Sequence, residues 1–94
     1  MANAAEINLP ENLTITNIHP VHELLEAMVD DQTHDQIVIH AAAVQRADTA
    51  GIQLLYAFAK AAKERQITLD WDQPSAKLIS AAEILGMKDS LGFH

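Results

Sequence analysis

A polar tetrapeptide between an apolar run and the longest amphipathic stretch most constrains how this chain can fold. The run at 36–41 contains three successive β-branched residues, which predict a central strand, buried on both faces and parallel to its neighbours. The tetrapeptide that follows is Asp48-Thr49-Ala50-Gly51. Asp48 and Thr49 are both good N-cap residues, so one of them is expected to cap a helix near 50–65.

Gly51 falls in the first turn of that predicted helix. A glycine costs about 1 kcal/mol relative to alanine in a helix interior, but its missing Cβ lets another backbone approach closely. The helix start therefore combines a carboxylate, a hydroxyl and bare backbone. Taken alone, these residues leave two interpretations open: a plain N-cap, or a recognition site.

The first third of the chain predicts two short strands and a helix. Ile7 and Leu9 alternate with polar residues, as do Leu13 and Ile15, with a turn at 10–12 between the two pairs. Pro20 suits the first position of a helix over 20–30. Its apolar stripe consists of Val21, Leu24, Leu25, Met28 and Val29. A polar loop over 30–35 is expected to stop it.

The remaining segments alternate between helix and strand. The helix near 50–65 is apolar around much of its surface, which fits packing on a sheet, although Leu54 or Tyr56 could instead face a partner. A half-buried strand is predicted over 67–71, and Ser75 is expected to cap a third helix that ends at Gly86. Its core stripe is Leu78, Ala81, Ala82 and Leu85, and Leu91 and Phe93 are expected to fold back onto the core.

Length and composition fit one domain over 1–94, an α/β sandwich with a mixed sheet of about four strands and helices packed on it. The formal net charge of −7 argues against non-specific binding to DNA or an anionic membrane. No apolar run approaches the ~20 residues of a membrane helix. The start of the chain lacks the features of a signal peptide, and there are no cysteines, so we expect a cytoplasmic protein.

The sequence offers little catalytic or cofactor chemistry. His19 and His22 match half of a metal site, but no third ligand is evident, so we expect no metal and no cofactor. His40 is interpreted as a structural histidine. Thr49 has Asp48 beside it but no base placed by the sequence, and there is no phosphate-binding loop. An enzyme or small-ligand carrier is therefore the weakest hypothesis.

The order of segments resembles the STAS family, the domain shared by bacterial anti-sigma factor antagonists and sulfate-transporter tails. The residues that carry the resemblance are Gln36-Ile37-Val38-Ile39-His40, Asp48-Thr49-Ala50-Gly51-Ile52-Gln53-Leu54-Leu55, Ile67-Thr68-Leu69-Asp70-Trp71, and the helix with Leu78 and Leu85 that ends at Gly86. It covers nearly the whole chain and implies the same fold.

The resemblance implies a non-catalytic regulatory module of the antagonist type. Its partner would be an anti-sigma factor or serine kinase-like ATPase domain. Because the sequence has no basic patches interleaved with aromatic residues, we expect no nucleic-acid partner. The implied contact residues are Asp48, Thr49, Ala50, Gly51, Gln53 and Leu54. In the antagonist branch a hydroxyl of this loop is phosphorylated, which makes Thr49 the candidate. Ala50 stands where many such members carry a second hydroxyl, so the chain is either switched at Thr49 or a constitutive binder.

The Asp-Thr-Ala-Gly version of the motif also resembles the small cytoplasmic STAS subunit of a phospholipid-trafficking ABC transporter. In that subunit the threonine-bearing loop contacts the ATPase, and no phosphorylation is required. Stand-alone STAS proteins associated with chemotaxis-type signalling are also similar. The transporter subunit is the alternative to the antagonist hypothesis.

Overall fold

The computed structural model describes residues 4–31 and 35–93. Its strands are β1 (Ala4–Asn8), β2 (Asn12–Leu13), β3 (Gln36–His40), β4 (Arg46–Ala47) and β5 (Thr68–Asp72). Its helices are α1 (Ile18–Asp30), α2 (Thr49–Glu64), α3 (Ala76–Ile84) and α4 (Lys88–Leu91). The predicted polar loop over 30–35 includes residues 32–34, which lie outside the described residues.

The strands form two parallel sheets with helical crossovers. The larger sheet has the order β1-β3-β5, and β2 pairs with β4 in a second, two-stranded sheet. Parallel neighbours need a crossover, and α1 and α2 supply it between successive strands of the larger sheet. The α/β class with helices on a sheet is confirmed. In detail, the described strands pair only in parallel, in sets of three and two, where the sequence predicted one mixed sheet.

The turn after β1 passes the chain from one sheet to the other. Leu9 N–H donates to the His40 carbonyl (2.9 Å), which extends the pairing beyond β1. The Glu11 carbonyl then accepts from the backbone N–H groups of Gln45 (2.8 Å) and Arg46 (3.1 Å), which lead into β4. The two predicted N-terminal strands therefore pair with β3 and β4.

The two faces of the larger sheet differ in burial. Ile7, Ile37 and Ile39 lie on the face covered by helices, where Ile37 and Ile39 are fully buried. Val38 and His40 lie on the opposite face and are half-buried. The central, parallel position of β3 is confirmed, but the predicted burial on both faces is wrong, because the core forms on one side of this sheet.

The helical stripe of α1 is narrower than predicted. Val21, Leu25 and Val29 are buried, whereas Leu24 is 45% exposed. The helix begins at Ile18, so Pro20 occupies its third position and not the predicted first. A proline is tolerated there because an N–H in the first turn would have no intrahelical acceptor. The stripe buries one face of α1 against the core.

The C-terminal elements follow the predictions closely. Ser75 caps α3, because its Oγ accepts from Leu78 N–H (3.1 Å), and Gly86 has the left-handed φ of +70°. Leu91 and Phe93 are buried, as expected. The chain end thus closes one side of the core.

Candidate functional site

Asp48 ties the start of α2 to the loop after β2. Its Oδ1 accepts from Gly51 N–H (3.0 Å), and its Oδ2 accepts from Ile15 N–H (2.9 Å). Its own N–H donates to the Leu13 carbonyl (3.2 Å). Of the two residues predicted as possible caps, Asp48 is therefore the N-cap of α2. It also joins two segments of the chain that are 33 residues apart.

These hydrogen bonds lower the pKa of Asp48. Gly51 N–H contributes most and Ile15 N–H contributes next, because a donor stabilises the charged carboxylate more than the neutral acid. The cap is therefore an anion at neutral pH, beside the partly positive end of the helix.

Gly51 lies where α2 presses onto β2. A Cβ at this position would lie 2.1 Å from the Leu13 carbonyl oxygen and 2.9 Å from its carbon. Real Cβ contacts are essentially never shorter than 3.0 Å. The predicted close approach of a second backbone is thus confirmed, and the first turn of α2 can lie this near β2 only with glycine.

Thr49 is the first residue of α2 and is exposed. Its hydroxyl makes no hydrogen bond with any residue in the described part of the chain. The N–H groups of a first helical turn have no intrahelical acceptors, so a free hydroxyl stands at a locally positive helix end. The geometry therefore presents an accessible hydroxyl on a backbone that is fixed by the Asp48 cap.

The chain matches the family model described as "Mlab, STAS domain" over residues 2–92. It belongs to the STAS family. None of the curated proteins matches it closely enough to count as a relative. STAS domains generally mediate protein–protein interaction and are generally non-catalytic. In the described ranges of this STAS domain, no helix is long and apolar enough to cross a membrane.

The predicted contact residues of this STAS domain do not all share one surface. Thr49 and Gln53 are exposed and lie one turn apart on α2. Gly51 is buried beneath them against β2. Leu54 is half-buried, packs against the core, and lines a depression between α1 and α2 on another side of the helix. The solvent-facing part of the motif therefore centres on Thr49, with Gln53 beside it.

Ile15 is a neighbour of the motif that the sequence pattern missed. Its alternation with Leu13 predicted a strand residue, but β2 ends at Leu13 and the Ile15 side chain is 68% exposed. The flanking Thr14, Thr16 and Asn17 side chains hydrogen-bond to one another. That run of turn-forming polar residues was the available signal for a loop. Ile15 therefore places an exposed apolar side chain next to the Asp48 cap.

The two histidines of α1 contact carboxylates of the same helix. His19 contacts Glu23 (2.8 Å) and His22 contacts Glu26 (3.2 Å), each one turn along α1. In the portion of the chain that is described, no group of three or more His, Asp or Glu side chains is arranged so that it could hold a metal ion.

His40 lies between two carboxylates that belong to the neighbouring strands. Its Nε2 is 2.6 Å from Glu6 Oε1, and its Nδ1 is 2.7 Å from Asp72 Oδ2. The hydrogen bond to Glu6, followed by that to Asp72, raises the pKa of His40, because both carboxylates favour the charged imidazolium. This side chain connects β1, β3 and β5.

Proposed function

We propose that this STAS domain is a non-catalytic regulatory module of the anti-sigma factor antagonist type that docks a protein partner through the Asp48–Gly51 loop. The observation that carries the proposal is the exposed hydroxyl of Thr49, which has no hydrogen-bond partner among residues 4–31 and 35–93, on a helix start fixed by Asp48 and Gly51. A preorganised loop loses little conformational freedom on binding, which favours affinity. Membership of a family that binds proteins supports the same role.

The proposed switch is phosphorylation of Thr49. A phosphate adds about −1.5 to −2 charges at neutral pH. The helix dipole at the start of α2 locally favours this negative charge, while Asp48 stays in place because both of its carboxylate oxygens accept hydrogen bonds from the backbone. The added charge therefore acts chiefly on the facing surface of the partner, where it blocks the contact.

A second candidate is a regulatory subunit that binds an ABC transporter ATPase without phosphorylation. Ala50 favours this alternative, because it stands where many phosphorylated members of the antagonist branch carry a second hydroxyl. Both candidates use the same exposed loop, so the identity of the captured ATPase distinguishes them.

The test is affinity capture from an extract of the source organism, with mass-spectrometric identification of the bound proteins. The antagonist function predicts a histidine-kinase-like ATPase domain among them, and loss of that protein with Thr49→Glu. Thr68→Glu is the matched control, because it introduces the same charge at an exposed threonine of β5 and should leave capture unchanged.

Three results would change the conclusion. Equal capture by the wild type and Thr49→Glu would refute docking through this loop. Capture of an ABC ATPase that Thr49→Arg abolishes would replace the antagonist function with the transporter role. An intact mass without the additional ~80 Da of a phosphate, in protein isolated from its own cells under several growth conditions, would argue against the switch.

A further inference from the structure

The exposed face of α2 continues the candidate site along the whole helix. At 3.6 residues per turn, five exposed side chains fall within an arc of about 80° and extend for roughly 20 Å. They are Thr49, Gln53, Tyr56, Lys60 and Lys63, called here the α2 stripe. Ile52, Leu55 and Ala62 lie on the buried side of the same helix. The stripe is thus a solvent-facing surface that begins at the proposed docking residue.

Charge divides the α2 stripe into two halves. The half near the motif is neutral, and the far half carries the ammonium groups of Lys60 and Lys63. Among the described residues, no carboxylate lies within ion-pair distance of either lysine. The chain has 13 acidic residues and six Lys or Arg, so two unpaired lysines on one face are a local exception to its acidic surface.

A shallow depression lies beside the cationic half of the stripe. It has a volume of about 450 Å³ and is lined by Tyr56, Ala59, Lys60, Lys63, Glu64 and Ser90. A tyrosine ring and lysine methylene groups are suited to form apolar walls, and the lining has two ammonium groups against the single carboxylate of Glu64. It therefore suits a side chain that enters from a segment bearing carboxylates.

We propose that an acidic segment of the docked protein partner lies along the α2 stripe, with its carboxylates on Lys60 and Lys63. This inference rests on the proposed function, because the stripe starts at Thr49. Opposite charges would fix the orientation of the partner and speed its association, since charge complementarity acts strongly on encounter rates. The surplus carboxylates elsewhere on the surface would disfavour docking of the same segment at other positions.

The experiment uses site-specific photocrosslinking in cells of the source organism. Gln53 or Glu64 is replaced in turn by p-benzoylphenylalanine, which places the crosslinker in the stripe near the motif or in the depression beside the far end of the stripe, roughly 16 Å away. Position 84 is the control for non-specific crosslinking, because Ile84 is 81% exposed but lies on α3, outside the α2 stripe. We expect positions 53 and 64 to crosslink the same protein, and position 64 to yield a peptide with at least two carboxylates.

A charge test sharpens the result. In the position-64 protein, Lys60→Glu should lower the crosslink yield at least about threefold, as should high salt. The matched control is Lys77→Glu, an exposed lysine of α3 with the same change in net charge, which should leave the yield unchanged.

The outcomes separate this inference from the proposed function. Failure at both positions 53 and 64 would refute docking through the motif and this inference together. Crosslinking at position 53 alone would refute the acidic segment and leave the proposed function standing. A nuclease-sensitive product, a peptide without carboxylates, or equal effects of Lys60→Glu and Lys77→Glu would also overturn the inference.

Discussion

Replacing Gly51 by alanine tests the contact between the start of α2 and β2. The new Cβ would lie 2.1 Å from the Leu13 carbonyl oxygen, so the helix must retreat by at least about 0.9 Å to reach the 3.0 Å that real contacts exceed. Backbone lines the site, so no rotamer change can relieve the clash. The helix start and the loop after β2 must therefore separate.

The cost follows from the hydrogen bonds that this movement breaks. Separation lengthens the bond from Asp48 N–H to the Leu13 carbonyl, now 3.2 Å, and that from Ile15 N–H to the Asp48 carboxylate, now 2.9 Å. The bond from Asp48 N–H contributes about 1 kcal/mol. The bond from Ile15 N–H contributes about 2 kcal/mol, because its acceptor is a charged carboxylate. The better helix propensity of alanine offsets about 1 kcal/mol. We expect Gly51→Ala to lower the free energy of unfolding by about 2 kcal/mol.

Urea unfolding followed by far-UV circular dichroism measures this change as a lower midpoint at constant slope. Ala57→Gly is the control, because it makes the reverse substitution at an exposed position of the same helix and should cost about 1 kcal/mol from propensity alone. If Gly51→Ala is instead more stable than the wild type, by about the amount that Ala57→Gly loses, then the close contact does not exist and the reasoning is wrong.

Two further predictions concern charged groups. His40→Gln should destabilise the protein most at mildly acidic pH: the raised folded pKa means that stabilisation by Glu6 and Asp72 is complete below the ordinary value of about 6.5 and is lost as the pH rises through the folded value. Unfolding midpoints over a pH series check this, and a gap that widens toward alkaline pH would contradict it. Asp48→Ala should cost about 3 kcal/mol near neutral pH, about 1 for the cap and about 2 for the lost charge-assisted hydrogen bond from Ile15 N–H. Since the folded pKa of Asp48 is lowered, this difference should shrink as the pH falls through that value.

Local chemistry accounts for what the sequence predicted well. The cap at Ser75 and the helix end at Gly86 depend on neighbouring residues, so residue type and position sufficed, and they narrowed the cap of α2 to Asp48 or Thr49. The close approach at Gly51 followed from the absence of a Cβ, although the sequence could not identify Leu13 as the approaching group. The central position of β3 followed from its β-branched run.

Long-range contacts account for the rest. Ile15 was assigned to a strand because it alternates with Leu13. A pattern over three residues cannot show that its N–H instead donates to a carboxylate 33 positions later in the chain. The bridge from His40 to Glu6 and Asp72 likewise depends on strand order. The sequence also could not show that Leu54, a contact residue implied by the resemblance, faces the depression between α1 and α2.

The bridge from Asp48 to Ile15 also limits how the two loops could change length. Surface loops usually tolerate insertions because their backbones are free of partners. Here the Asp48 carboxylate binds both segments, so an added residue at 14–16 would move Ile15 N–H away from it. Asp48 would then accept only the hydrogen bond from Gly51 N–H. A change in the length of the segment after β2, or of the segment that leads to Asp48, would displace Ile15 N–H from the Asp48 carboxylate. The two segments therefore have to be redesigned together.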